Sequence, residues 1–150
     1  MKRWLPFCLF LLLNIPAVAQ LQLVLPAGHT DAVKQAAFTP DLKKLITLSA
    51  DKSMAVWDAD NGLLIRKLFT GKACIMFSLL ANGKTMAVLD FETEPKIVEI
   101  SSGLVKATLK GHTLPPNVIA TDRRGNYWAT AAWDKTARIW DARTYKQLQA

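Results

Sequence analysis

Gly28-His29 and Trp57-Asp58 return as Gly111-His112 and Trp140-Asp141, each pair displaced by 83 residues. In both places the histidine precedes its tryptophan by 28. Two equal intervals of this kind mark a repeated structural unit, and a repeat limits the fold before any local propensity does. The displacement is about twice the length of a four-stranded repeat, so a worn copy is expected in between. Gly71-Lys72 stands where the glycine-histidine pair falls due, and Val98-Glu99 where the tryptophan-aspartate pair does. The starts at 28, 71 and 111 and the ends at 57, 98 and 140 are spaced by 40 to 43 residues.

Within each copy, short apolar runs alternate with turn chemistry. The first copy reads V-K-Q-A-A-F, L-I-T-L-S-A, M-A-V-W and L-L-I-R-K-L, separated by T-P-D-L-K-K, a turn beginning at Asp51, and D-A-D-N-G. The middle copy gives C-I-M-F-S, T-M-A-V-L, K-I-V-E-I and L-V-K-A-T-L. The third gives N-V-I-A, Y-W-A-T-A, A-R-I-W and Y-K-Q-L-Q, Tyr145 to Gln149. Runs of four to six residues bounded by Gly, Asn, Asp and Ser predict antiparallel four-stranded meanders. No window carries a long helical period.

These spacings and signatures resemble the WD40 (WD-repeat) family of β-propellers over residues 28 to 150. The resemblance implies an all-β fold of three propeller blades in an incomplete ring: 28–70, a degenerate 71–110, and 111–150. In each strong copy an Asp precedes the signature Trp by six and a Thr precedes that Asp by four. The resemblance implies that His29, Thr47, Asp51 and Trp57 form one hydrogen-bonded tetrad, and His112, Thr130, Asp134 and Trp140 another. The chemistry suits this: a carboxylate can accept from an imidazole, whose other nitrogen bonds the Thr hydroxyl, while the indole N–H needs an acceptor. Read alone, the same residue types could form a Thr/His/Asp or Ser/His/Asp catalytic site, with Ser49 beside Asp51. Recurrence at fixed offsets in two units favours a scaffold, because a triad is recognised by geometry and roles. Two histidines in different blades and one cysteine beyond the leader offer no metal-ligand spacing. No cofactor is expected. The middle copy has Lys72 for His, Glu92 near the Asp position and Val98 for Trp. It is expected to lack a tetrad, to rely on apolar packing and to be the least rigid blade.

The first nineteen residues follow a different logic. M-K-R-W supplies positive charge, an apolar stretch follows, and A-V-A at 17 to 19 is a small-residue cleavage site. The run from Leu5 to Ile15 is too short to span a bilayer and is interrupted by Pro6 and Asn14. A signal peptide over 1–19 is therefore expected, with export, a new terminus at Gln20 and no membrane attachment afterwards. The short leader before Gln leans towards a bacterial source. Cleavage removes Cys8 and leaves Cys74, whose apolar flanks predict a buried, inert thiol. The charge of +7 is carried by scattered Lys and Arg rather than a basic block, which argues against nucleic-acid binding.

Residues 20–27 contain alternating Leu21, Leu23 and Leu25 and read as a leading strand that would complete a last blade. Since propellers close with four to eight blades, the segment is expected to be the N-terminal part of a longer WD-repeat protein. Its function is expected to be an exported, non-catalytic scaffold for a protein partner. The alternative is the sensing or docking region of a longer exported enzyme, such as a caspase-like peptidase joined to WD repeats. The resemblance assigns partner contact to the loops Asp31–Lys34, Phe69–Ala73 (with Lys72) and Thr113–Asn117 (with Leu114, Pro115 and Pro116). Trp133 joins them, because it corresponds to Ala50 in the first copy and has no tetrad duty.

Overall fold

A computed structural model describes residues 28–69 and 73–150. The expected signal peptide, the leading strand and Lys72 lie outside the described residues. The described chain is three antiparallel meanders. The first sheet is β1 (Val33–Phe38), β2 (Lys44–Ser49), β3 (Ser53–Asp58) and β4 (Leu64–Phe69), in that spatial order. The second is β5 (Met76–Leu79), β6 (Thr85–Leu89), β7 (Lys96–Glu99) and β8 (Val105–Thr108). The third is β9 (Pro116–Thr121), β10 (Tyr127–Ala132), β11 (Ala137–Asp141) and β12 (Gln147–Gln149). β5 lies against both β1 and β9, so the sheets meet along their first strands and fan outwards as blades.

Turn chemistry fixes where each meander folds back. In the β3–β4 turn the Asp58 carboxylate accepts the N–H groups of Asp60 and Asn61, and Gly62 takes φ 72°. Glu99 and Gly103 (φ 76°) hold the corresponding places in blade 2. In blade 3 Asp141 accepts from Arg143 and Thr144, and the left-handed residue is Tyr145, at φ 60°. The Asp of each Trp-Asp pair is thus a turn cap. Tyr145 sits inside that turn, and its N–H donates to the Asp141 carbonyl. The last strand therefore begins at Gln147 instead of Tyr145.

Burial records each sheet's place in the stack. Every residue of β6 is buried, as expected for a strand covered on both faces. In β10, Trp128 and Thr130 are buried while Tyr127 and Ala129 are exposed, so only one face of blade 3 is covered among the described residues. One core joins Ile46, Leu48, Met54, Val56 and Leu68 of blade 1 to Phe77, Met86, Val88 and Val98 of blade 2. Cys74 is buried in it. A second core joins Ala87, Leu89, Ile97 and Leu109 of blade 2 to Ile119, Trp128 and Trp140 of blade 3. Each fully buried aliphatic side chain contributes roughly 1.5–3 kcal/mol, so the blades are held face to face chiefly by apolar contact. Gln35 adds a polar fastening: its amide nitrogen donates to the Phe77 carbonyl (2.8 Å) and its amide oxygen accepts the Phe77 N–H (2.9 Å). One side chain thereby satisfies both backbone groups of the neighbouring blade.

Candidate functional site

In blade 3 four side chains, two from strands β10 and β11, one from the Gly-His loop and one from the β10–β11 turn, form one directed chain. Trp140 Nε1 donates to Thr130 Oγ1 at 2.9 Å, and Thr130 lies 2.7 Å from His112 Nε2. His112 Nδ1 lies 2.9 Å from Asp134 Oδ2. With Nδ1–H donated to the carboxylate, Nε2 is the acceptor and the Thr130 hydroxyl donates to it; the network assigns this tautomer. Blade 1 has the same chain: Trp57 Nε1 to Thr47 Oγ1 at 2.7 Å, Thr47 to His29 Nε2 at 2.7 Å, and His29 Nδ1 to Asp51 Oδ2 at 3.2 Å. The two differ in cover. Trp140 is buried under blade 2, whereas Trp57 is half-buried because nothing among the described residues precedes blade 1.

The carboxylate of each tetrad also holds its turn. Asp134 accepts from the Thr113 N–H (3.0 Å), the Thr136 N–H (3.0 Å) and the Thr136 hydroxyl (2.7 Å). Asp51 accepts likewise from the Thr30 N–H, the Ser53 N–H and the Ser53 hydroxyl, with Lys67 Nζ at 3.8 Å. Ser53 and Thr136 are fifth members that the spacing rule missed. Burial works to raise both carboxyls. The hydrogen bonds outweigh it, led by Ser53 for Asp51 and by Thr136 and His112 for Asp134, and hold both well below the usual carboxylate range. Lys52 and Lys135, next in the two turns, adopt φ 66° and 68°.

The Thr130 hydroxyl is buried, is engaged by both Trp140 and His112, and has a duplicate in Thr47. Among the described residues no group of three or more His, Cys, Asp and Glu is arranged to hold a metal ion.

Blade 2 departs from the pattern more than its sequence suggested. Its register sets Val98 opposite Met86, as Trp57 stands opposite Leu45, and sets Val88 at the place of Thr47. Glu92 counts to the place of Asp51 but is exposed. The carboxylate that blade 2 buries is Asp90, two residues earlier, paired with Lys96. Asp90 holds the register place of Ser49, and its Oδ1 accepts the Glu92 N–H at 2.9 Å. An ammonium–carboxylate pair therefore ties this turn to its strand, where the flanking blades use imidazole.

At the same end of the blades lie the loops considered for partner contact. The Thr30 and Thr113 bonds bring each Gly-His loop against its Asp turn, and Trp133 N–H reaches the Pro115 carbonyl at 3.3 Å. Trp133 is 69% exposed and Leu114 47%. Asp31 and Lys34 are exposed on blade 1, and the Asp31 carbonyl accepts the Ser49 hydroxyl. Pro115 is half-buried. Pro116 is a correction: it opens β9 opposite Ala132, is buried, and so is not part of an exposed loop. The residue missed at this end is Phe91, 70% exposed. Counted along β2, β6 and β10, Ala50, Phe91 and Trp133 hold one register position in successive blades. Neighbouring turns of blades 2 and 3 therefore each present a large aromatic side chain.

The sequence model of the family described as "WD domain, G-beta repeat" matches residues 20–58 and 103–141, together just over half of the chain. Periodic tryptophan protein 2 of Saccharomyces cerevisiae is 24% identical over 75% of this chain and 17% of its own length. COMPASS component SWD3 of the same yeast is 26% identical over 80% of this chain and 39% of its own length. The crystal structure of RRP9 WD40 repeats superposes with a TM-score of 0.73 at 18% identity, covering 81% of this chain and 39% of that one. The chain thus spans well under two thirds of these relatives.

Proposed function

We propose a protein-interaction role from one premise: the chain belongs to the WD40 family of WD-domain, G-beta repeats. Relatives in this family act within complexes, one of them named as a COMPASS component. We read this chain as a non-catalytic scaffold whose contact surface is the end carrying the Gly-His loops and Asp turns. The carrying observation is the exposed aromatic pair, Phe91 and Trp133, at equivalent positions of adjacent blades. Neither has an intramolecular duty like that of Trp140, and large aromatics supply most binding energy in protein interfaces. Leu114 and the stiffened Pro115 extend the same surface. The open faces of blades 1 and 3, with half-buried Trp57 on one and exposed Val118, Tyr127 and Ile139 on the other, are proposed to be covered by further blades.

The reading includes export, supported by the charged, apolar and A-V-A segments of residues 1 to 19. An extracellular or periplasmic product beginning at Gln20 is the expected result of N-terminal sequencing; a cell-retained product beginning at Met1 overturns this part.

The contact surface is tested by affinity capture from the source organism, quantified for Trp133→Ala, Phe91→Ala and a control at the opposite end, Leu104→Ala. The two aromatic variants should each lose about tenfold or more in partner affinity, and the control should lose nothing. Equal capture by all four proteins would sink the assignment.

A further inference from the structure

Blade 2 lacks both the indole and the hydroxyl that its neighbours bury. Val98 occupies the place of Trp57 and Trp140, and Val88 that of Thr47 and Thr130. The side chains around them do not close the gap. Between blades 1 and 2 lies a cavity of about 160 Å³, walled by Met54 and Leu68 on one side and by Met86 and Val98 on the other. Most of the wall is aliphatic or thioether, and methionine adapts to the outline of whatever it packs against. An apolar cavity of roughly 150 Å³ is large enough to take a benzene-sized ring.

One end of the cavity is not apolar. Asp90 and Lys96 line it as a paired carboxylate and ammonium. The Asp90 side chain is 3% exposed, and Lys96 rises beside it to a 29% exposed position. Asp90 accepts from Glu92 N–H through Oδ1 and from Lys96 through Oδ2. A carboxylate has about four lone-pair sites, so a donor entering the cavity finds an acceptor already charged and desolvated. Hydrogen bonds to a charged, buried acceptor are the strong ones.

We propose that this cavity is a binding site for a small ring compound bearing one hydrogen-bond donor, a phenol-class molecule, seated between blades 1 and 2 with its O–H on Asp90. The ring replaces the volume that an indole fills in the flanking blades, and the donor selects among rings of the same size. Because the ligand touches both blades, it also stiffens their junction, and binding raises the melting temperature by linkage. The site lies inside the blade stack and does not depend on the aromatic rim.

The full chain is titrated by calorimetry with phenol and with toluene, a ring of similar size without the donor. Saturable one-to-one binding of phenol is expected, at least fivefold tighter than toluene. Val98→Trp and, as a smaller filling, Val98→Phe should stay folded by near-ultraviolet circular dichroism and lose phenol binding by tenfold or more. Failure of the wild-type chain to bind phenol saturably overturns the proposal. So does undiminished binding in either filled variant that folds. Toluene binding as tight as phenol overturns the role given to Asp90.

Discussion

Thr130→Val isolates the energy of the buried tetrad, because the substitution keeps the shape of the side chain and removes only the hydroxyl. Two hydrogen bonds disappear, those to Trp140 Nε1 at 2.9 Å and to His112 Nε2 at 2.7 Å. Thr130 is 2% exposed, Trp140 1% and His112 6%, so neither orphaned group gains water. Each unsatisfied buried group costs about 1–3 kcal/mol. Allowing for partial relaxation, the loss should be about 3 kcal/mol. For a chain of this size that corresponds to roughly 6–12 °C in melting temperature. Thr47→Val removes two bonds of 2.7 Å each in blade 1, but half-buried Trp57 can turn its N–H towards solvent. About 1 kcal/mol is expected there. The comparison is made by urea unfolding of both variants and wild type, requiring a common m-value so that midpoints report stability. Equal losses in the two blades would show that burial is not what gives the tetrad its worth. A Thr130→Val loss under about 0.5 kcal/mol would show that its hydrogen bonds are not net stabilising.

Acid should release the same two turns. The Asp51 and Asp134 carboxyls are held below their ordinary value in the folded chain, so as pH falls below about 4 the unfolded chain takes up protons that the folded chain does not. Their contribution is complete above that pH and is lost on descending through the folded value. Thermal melts between pH 7 and 2 should fall steeply at the acid end, and less steeply in Asp51→Asn; an unchanged acid slope in the variant contradicts the assignment. Trp128 and Trp140 give a paired test, being equally buried, yet Trp128 Nε1 has no hydrogen-bond partner among the described residues. Trp128→Phe should therefore cost about 1–2 kcal/mol less than Trp140→Phe, which leaves the tetrad without its indole donor. Equal costs in urea unfolding would mean that the indole donor of Trp140 adds nothing.

The repeat was legible because its residues are tied across strands. His112, Asp134, Thr130 and Trp140 must meet in space, so their separations along the chain cannot drift, and the same separations recur from His29 to Trp57. What was not legible depended on register or on backbone geometry. Tyr145 opens the strand-like run Y-K-Q-L-Q in the sequence, but it fills a left-handed turn position that Gly62 and Gly103 occupy elsewhere, and only those two advertise it by residue type. Pro116 follows another proline and so looked like loop. A proline can open an edge strand without sacrificing a ladder bond, and β9 is such a strand. Asp90 and Phe91 escaped for one reason. By register they hold the places of Ser49 and Ala50, to which the repeat signature assigns no residue type, while counting back from Val98 and counting forward from Val88 both reach Glu92. Strand pairing and spacing from the signature give one and the same frame for the worn blade. In that frame the middle copy is more than a decayed tetrad. It exchanges indole and hydroxyl for a cavity, imidazole for an ammonium, and a small rim residue for an exposed phenylalanine, all on one stretch of two strands and the turn between them.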